Sequence, residues 1–193
     1  MGEPKHAKCH KDYFPARNQG GTRPLSAITA VVWHNAVSDD YTAEAIARWF
    51  RDGEQAGSTQ LIVDSEQCQR SVSDGRVCYG AAGANVNYWG VHMEFCSQVW
   101  WSPKTWFRKH RRMMRRGAYK TAQYCFKYHI RPRFLSANDL RKGERNGITS
   151  HKAISKAFVP GGHTDAGPPR IRTMRLVKKY LAAIRERQGK QWA

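Results

Sequence analysis

The sequence predicts an α/β fold in which a central mixed β-sheet is flanked by helices. Short apolar runs rich in β-branched residues alternate along the chain with longer segments of helical periodicity. Helices that alternate with strands pack against a shared sheet, which gives a layered architecture. The chain has 193 residues, and 40% of them are hydrophobic, which is enough for one domain with a sizeable core.

The first elements follow from local patterns near the N-terminus. Residues 1–24 are polar and contain two adjacent glycines, which predicts an irregular lead-in to a single domain over residues 25–193. The apolar run 27–34 (AITAVVWH) predicts a buried strand that ends in a histidine. In 38–55 apolar residues recur at helical spacing behind Ser and Asp capping candidates, and Gly53 marks the end of the predicted helix.

Two further segments predict strands. Segment 59–75 (TQLIVDSEQCQRSVSDG) alternates like two short strands around a turn. Segment 87–98 (NYWGVHMEFCSQ) predicts another strand, on which His92, Glu94 and Cys96 share one face because side chains alternate along a strand.

The C-terminal half predicts two long helices separated by a short strand. Apolar residues recur at three and four positions through 105–130, which predicts one long amphipathic helix. Residues 147–149 (GIT) predict a last short strand, and 171–187 predicts the closing helix. The chain contains no internal repeat and no low-complexity linker, which favours a single domain.

The net charge of +18 and the isoelectric point near 10.1 are the most unusual features of the composition. Such a charge favours polyanionic partners, namely nucleic acid, an anionic cell-wall polymer or acidic lipid. The densest basic run is 104–120, where Lys and Arg are interleaved with Trp, Phe and Met. This run is consistent with the solvated face of a helix, with capture of an anionic cell envelope, or with a nucleic-acid surface.

Cysteine usage and the N-terminal sequence bear on the compartment. Five cysteines, an odd number without a CxxC pair, favour reduced thiols in a cytosolic product over a disulfide framework. The N-terminal segment lacks the apolar stretch of a signal peptide, and no run is long enough to span a bilayer. We therefore expect a chain that is made in the cytoplasm and needs another factor for release.

Three separated residues are candidate metal ligands. His34 ends the first predicted strand, His151 follows the short strand 147–149, and Asp165 lies in a loop framed by glycine and proline. Catalytic zinc takes three protein ligands and keeps a fourth position open, and nitrogen with carboxylate is an acceptable set. Each residue also has an ordinary interpretation, as a packed histidine or a turn-forming aspartate. Spacing alone leaves both interpretations open.

Four motifs occur in an order that resembles one enzyme family. They are ITAVVWHNAVSDD, GSTQLIVDSEQCQRSVSDG, GANVNYWGVHMEF and GITSHKAISKAFVPGGHTDAGPP. Their order is similar to that of the zinc-dependent N-acetylmuramoyl-L-alanine amidases of type 2, which are related to peptidoglycan-recognition proteins and common in bacteriophage endolysins. The resemblance covers about residues 25–183. It implies the amidase-like α/β fold and a Zn²⁺ ion held by His34, His151 and Asp165.

The same resemblance implies two catalytic residues. Glu94 matches the carboxylate that acts as general base in the family, and His163 stands where the family places a group that faces the substrate carbonyl. The register of the strand also permits His92 as the base; we favour Glu94 because a carboxylate suits proton transfer beside zinc. The chain departs from the family at Thr59, where many members carry a tyrosine in this region, so no tyrosine role is carried over.

The implied function is hydrolysis of the amide bond between N-acetylmuramic acid and L-alanine in bacterial peptidoglycan. The implied setting is a phage endolysin that stays in the host cytoplasm until a holin opens the membrane, and that then acts on the cell wall. Two alternatives remain at the level of sequence: a basic nucleic-acid-binding protein or nuclease, and a peptidoglycan-binding protein of the same fold without turnover.

Overall fold

A computed structural model describes residues 14–37, 42–53 and 56–191 of the chain. Within these residues, seven strands form two sheets. In chain order the strands are β1 (Gln19–Thr22), β2 (Ala30–Asn35), β3 (Leu61–Val63), β4 (Cys68–Arg70), β5 (Arg76–Cys78), β6 (Gly90–Phe95) and β7 (Gly147–Ser150). The main sheet has the order β4-β3-β6-β2-β7, and the antiparallel pair β1-β5 forms a small second sheet.

The main sheet is mixed, as predicted. Strands β3, β6, β2 and β7 run parallel to their neighbours, and β4 pairs antiparallel with β3. The helices are α1 (Ala43–Asp52), α2 (Val86–Trp89), α3 (Pro103–Arg108), α4 (Arg111–Lys127), α5 (Ala137–Arg141), α6 (His151–Phe158) and α7 (Arg170–Gln191). They flank the sheet, so the predicted α/β class with a central mixed sheet is confirmed.

Alternation along β2 assigns its side chains to two different layers. Val31 and Trp33 point into the larger core, which α1, α4 and α7 complete, and the Trp33 indole donates a hydrogen bond to Thr121 in α4. Ala30 and Val32 point to the opposite face, where they pack with apolar residues of α2, α5 and α6. Each fully buried large side chain stabilises the fold by about 1.5–3 kcal/mol. His34 continues the second face to the end of the strand.

The first predicted helix ends at Gly53 as predicted, and its N-terminal cap is Thr42, whereas the predicted Ser and Asp caps lie outside the described residues. Thr42 accepts a hydrogen bond from the main-chain N–H of Ala45 at the start of α1. Gly53 ends the helix with φ 79°, a left-handed conformation that glycine adopts without a steric penalty.

The predicted irregular lead-in over 1–24 differs from the structure in its described part. Residues 19–22 form β1, Ala16 is buried in the larger core, and the guanidinium of Arg23 donates to the main-chain carbonyl of Gly90. The sequence hid this strand because it is short and contains two glycines, which have low strand propensity. Residues 1–13 lie outside the described part of the chain.

The single long helix predicted over 105–130 is wrong. The chain forms α3 and then α4, with the break at Lys109 and His110. The imidazole of His110 stacks on Trp101, with ring centroids 3.6 Å apart. His129, which the prediction placed inside the helix, follows α4 and has φ 54°. No glycine or proline marks the break.

The cysteines differ in part from the expectation of reduced thiols. Cys78, Cys96 and Cys125 are free and buried, whereas Cys68 is disulfide-bonded. Cys96 lies beyond the end of β6 and packs in the larger core, so it does not share the face of His92 and Glu94. None of the described helices is long and apolar enough to cross a bilayer.

Candidate metal centre

The carboxyl ends of the parallel strands bring the predicted residues to one edge of the sheet. His34, near the end of β2, lies in register beside Glu94 of β6. Strand β7 pairs with the other side of β2 and ends at Ser150, whose hydroxyl caps α6. His151 is the first residue of that helix and therefore stands next to His34.

The loop that carries Asp165 is tied to the sheet and to α6. The main-chain carbonyl of Asp165 accepts a hydrogen bond of 2.8 Å from the N–H of Lys152. Two residues later, the N–H of Gly167 donates to the Asn35 side chain at 2.7 Å. Gly167 has φ 69°, and an added Cβ would lie 2.6 Å from the Cβ of Trp33. Glycine is required here by both conformation and space, and the loop aims Asp165 at the two histidines.

The donor atoms of three side chains converge at this edge. Nδ1 of His34 lies 3.2 Å from Nδ1 of His151. The Asp165 carboxylate places Oδ2 3.2 Å from the first nitrogen and Oδ1 3.0 Å from the second. Zinc with bonds of about 2.0–2.1 Å to tetrahedral ligands separates those ligands by roughly 3.3 Å. The three buried residues form a group with one ligand atom each within 4.8 Å of the others, so the separations fit a shared ion.

Unsatisfied oxygen atoms mark the same place. Within the described part of the chain, Oδ1 of Asp165 and Oε2 of Glu94 are buried and have no hydrogen-bond partner of good geometry. Nδ1 of His151 is close to the former oxygen but lacks hydrogen-bond alignment with it. Buried acceptors without partners are rare in folded proteins. Two imidazole nitrogens beside a carboxylate with a free oxygen are a donor set that suits Zn²⁺.

Burial sets the charge states of the ligands. It lowers the pKa of His34, and this effect outweighs the neighbouring Asp165 carboxylate, so the imidazole is neutral at pH 7. Burial alone raises the pKa of Asp165, but contacts with His151 and His34 outweigh it and hold the pKa below its ordinary value. Neutral imidazole and ionised carboxylate are the forms that bind a metal.

Glu94 and His92 lie on opposite sides of His34. Oε1 of Glu94 is 3.9 Å from Nδ1 of His34, on the side of the converging donors, and the side chain is 14% exposed. Burial, followed by the charge of Asp165, raises the pKa of Glu94 well above its ordinary value. His92 is 0% exposed, and its Nδ1 is 2.9 Å from Nε2 of His34, the nitrogen that faces away from the donors. Only Glu94 of these two borders the groove above the cluster.

His163 stands at the mouth of the cluster. Its side chain is 73% exposed, and its Nδ1 is 3.9 Å from Oδ1 of Asp165. The ring stacks on His151 with centroids 4.2 Å apart. This exposed imidazole is therefore free to meet a ligand that enters from solvent.

The cluster forms the floor of a groove of about 680 Å³. Two exposed aromatic side chains, Trp49 and Tyr79, line its walls, and sequence reasoning missed them. The sequence signal that could have identified Trp49 is its position in α1, where a large aromatic residue lies just outside the buried stripe of the helix. Val37, also in the wall, is exposed and has φ 50°, an uncommon conformation for a β-branched residue that often accompanies functional loops.

The basic run 104–120 is not part of this groove. Helix α4 packs on the face of the sheet that carries Trp33, opposite to His34. The described residues that line the groove include none from this run. Its exposed cations, among them Arg111 and Arg115, therefore belong to a separate surface.

Comparison with solved structures identifies the fold. No protein-family profile and no curated protein sequence matches the chain. Among solved structures, the chain is similar to the hydrolase AmiA of Staphylococcus aureus, solved with its ligand, with a TM-score of 0.69, 18% identity, and coverage of 93% of this chain and 86% of that one. It is also similar to LysCS of Clostridium intestinale, an endolysin N-acetylmuramoyl-L-alanine amidase, with a TM-score of 0.56, 12% identity, and coverage of 92% and 99%. The catalytic domain of PlyG gives a TM-score of 0.56 at 14% identity, with 83% and 85% covered. The chain therefore has the fold of these amidases and endolysins.

Proposed function

We propose that this protein is a zinc-dependent N-acetylmuramoyl-L-alanine amidase that cleaves peptidoglycan between N-acetylmuramic acid and L-alanine. The observation that carries the proposal is the convergence of His34, His151 and Asp165 at the floor of an open groove. The fold similarity to peptidoglycan amidases and endolysins supports the same reaction class. The unsatisfied oxygen of Asp165 supports the metal.

His34, His151 and Asp165 would hold Zn²⁺, which would supply Lewis acidity to polarise the scissile carbonyl and to make a water molecule nucleophilic near neutral pH. The protein's task is to keep the ligands deprotonated and oriented. Burial keeps His34 neutral, and the hydrogen bond from Lys152 to the main chain of Asp165 fixes the loop. The exposed groove leaves room for the sugar and the peptide on either side of the reacting bond.

Glu94 serves as the general base. Its carboxylate borders the groove beside the ligand atoms, and one of its oxygens has no partner in the described structure. It takes a proton from the attacking water and delivers it to the amine of the departing L-alanine. Burial raises the pKa of Glu94, and its position at the groove lets the carboxylate reach both the attacking water and the departing amine.

His163 serves as the donor to the carbonyl oxygen on which negative charge develops. Its ring stacks on the ligand His151 and is open to the groove. A preorganised donor at this point stabilises the charge that forms in the transition state, which typically contributes 10²–10³-fold to the rate.

The biological setting that we propose is host lysis by a phage endolysin. The enzyme stays in the cytoplasm until a holin opens the membrane and then acts on the cell wall. The basic surface around α4 holds it to an anionic wall polymer or acidic lipid by charge attraction. Nucleic-acid binding by that surface is the competing explanation; it predicts affinity for DNA that falls steeply with salt and does not involve the groove.

The deciding experiment incubates the purified protein with peptidoglycan, with and without a metal chelator, and identifies the products by mass spectrometry. We expect free stem peptides that begin with L-alanine, a loss of activity with chelator, and recovery on addition of Zn²⁺. Glycosidic fragments, or the absence of any product, would overturn the proposal.

A further inference from the structure

His34 uses both nitrogens of its imidazole ring. Nδ1 faces the converging donors, and Nε2 lies 2.9 Å from Nδ1 of His92. The two rings are stacked with centroids 5.1 Å apart and planes inclined by 30°. His92 is therefore in direct contact with the far side of a metal ligand.

The position of His92 is fixed by the sheet and by its neighbours. It lies on β6 beside Val32, two residues before Glu94 and on the same face of the strand. Its main-chain N–H donates to the side-chain oxygen of Gln60 at 2.8 Å. The ring lies against Gly80, where an added Cβ would come within 2.2 Å of Nδ1 of His92. Only glycine at position 80 leaves room for this ring.

The tautomer of His34 determines which of the two rings donates the hydrogen bond between His34 and His92. A neutral imidazole that binds a metal through Nδ1 carries its proton on Nε2, so Nε2–H of His34 must be donated. The acceptor in reach is Nδ1 of His92, which accepts only when the His92 proton is on Nε2. Nε2 of His92 is buried and has no hydrogen-bond partner among the described residues. The main-chain carbonyl of Val86 is in its neighbourhood, because a Cβ added at Gly90 would lie 2.8 Å from that oxygen and 3.1 Å from Nε2.

We propose that His92 is a positioning residue for the metal: it accepts the Nε2–H of His34 and so fixes the tautomer and ring orientation that present Nδ1 of His34 to zinc. Metal-bound histidines usually donate their second N–H to a carboxylate, a carbonyl or water, and loss of such a partner typically weakens metal affinity 10–100-fold. Here a second, fully buried imidazole takes that place. The inference rests on the proposed zinc site and adds a residue that supports it.

The test uses two substitutions of nearly equal shape. His92→Asn places an amide oxygen close to the position of Nδ1, whereas His92→Leu has no acceptor there. Zinc dissociation constants are measured by competition with a chromophoric chelator. We expect His92→Leu to weaken zinc binding roughly 10–100-fold and His92→Asn to stay within a few-fold of the wild type.

Thermal unfolding of the metal-free proteins measures how much each substitution at position 92 disturbs packing. A packing defect is thereby distinguished from lost support of the ligand His34. If His92 only fills space, the two variants change zinc affinity equally, and that outcome would overturn the inference. Wild-type affinity in His92→Leu would overturn it as well. A wild-type protein that binds no zinc would instead contradict the proposed function, so the two failures are distinguishable.

Gly80 provides an independent check through the same ring. Gly80→Ala pushes a methyl group into the ring of His92 and should also weaken zinc binding. If it acts through His92, Gly80→Ala has little further effect on affinity in the His92→Leu background. Fully additive losses in the double variant would contradict the link between the glycine and the imidazole.

Discussion

Two aspartates, Asp74 and Asp165, are almost equally buried, at 7% and 6% exposure, but have different neighbours. The carboxylate of Asp74 forms salt bridges with Arg70 at 2.7 Å and Lys127 at 3.1 Å, and it accepts a hydrogen bond from the hydroxyl of Tyr128. Both carboxylate oxygens are thus satisfied by cations and hydroxyls. Such an arrangement stabilises a fold and leaves nothing available for a ligand.

Asp165 has imidazoles where Asp74 has cations and hydroxyls. His34 and His151 approach it, and one of its oxygens has no well-aligned partner in the described residues. In both residues burial alone raises the pKa, and the neighbours reverse the shift. The comparison teaches that burial and the direction of the pKa shift do not distinguish the structural carboxylate of Asp74 from the carboxylate that we propose as a metal ligand. Hydrogen-bond satisfaction does separate them.

The largest expected effect comes from removing the unsatisfied aspartate. Asp165→Ala should lose bound zinc and, because the metal supplies the chemistry, lower turnover by at least about 10³-fold. The unfolding midpoint of the metal-free protein should change little. Zinc content by atomic spectroscopy and amidase assays check both. Survival of zinc and turnover in this variant would remove Asp165 from the ligand set.

The variant Glu94→Gln tests whether the carboxylate of Glu94 transfers protons and is not a ligand of the metal. Glu94→Gln should retain about one zinc per chain but lose roughly 10²–10⁴-fold in turnover, because the amide cannot accept the proton. Exposed Glu66, which pairs with Arg112 on the surface, offers the matched control Glu66→Gln with unchanged activity. Full activity in Glu94→Gln would assign the base to another group.

The variant His163→Ala tests the catalytic role of the exposed imidazole at the mouth of the same cluster. His163→Ala should lower kcat by about 10²-fold through loss of the donor to the carbonyl oxygen. Zinc affinity should remain near that of the wild type, because this side chain lies outside the ligand set. Steady-state kinetics with a soluble muropeptide would measure kcat and KM separately. A loss confined to KM would make His163 a substrate-binding residue only.

The smallest expected effect is on the free energy of unfolding, and it comes from Asp74, whose two carboxylate oxygens both have partners. Asp74→Asn should lower the free energy of unfolding by about 2 kcal/mol at pH 7, since its partners are partly exposed and screened. Zinc binding should be unaffected.

The pH dependence of that difference follows from the lowered pKa of Asp74. Because the folded pKa lies below the ordinary value of 3.8, the stabilisation is present above that pH and is lost as the pH falls through the folded pKa. Urea unfolding of both proteins between pH 7 and pH 2 should therefore show the two curves converging in acid. A constant difference across this range would contradict the assigned network.

Much of the fold was predictable because strong local patterns determine it. The apolar run of β2, the capped helix α1 and the strand pair β3-β4 all follow from residue periodicity. Strand β1 was missed because its pairing with β5 depends on contacts far along the chain. The break between α3 and α4 was missed because no residue there breaks a helix, and the stack of Trp101 on His110 is a tertiary contact.

The site was predictable to the extent that motif order and strand ends reveal it. His34, His151 and Asp165 were proposed together from the sequence, and the structure brings them together. The relation of His92 to His34 was not predictable, because 58 residues separate them and only the pairing of β2 with β6 defines their contact. The sequence therefore left His92 and Glu94 as competitors for one role.

The parallel pairing of β2 with β6 restricts how this chain can change in length. Side chains alternate between the groove face and the helix-covered face, so inserting or deleting one residue in β2 ahead of position 34 would turn the histidine toward α4. A two-residue change would restore its direction. Diverging relatives should therefore differ in length within their loops, while residues 30–35 and 90–95 align without gaps.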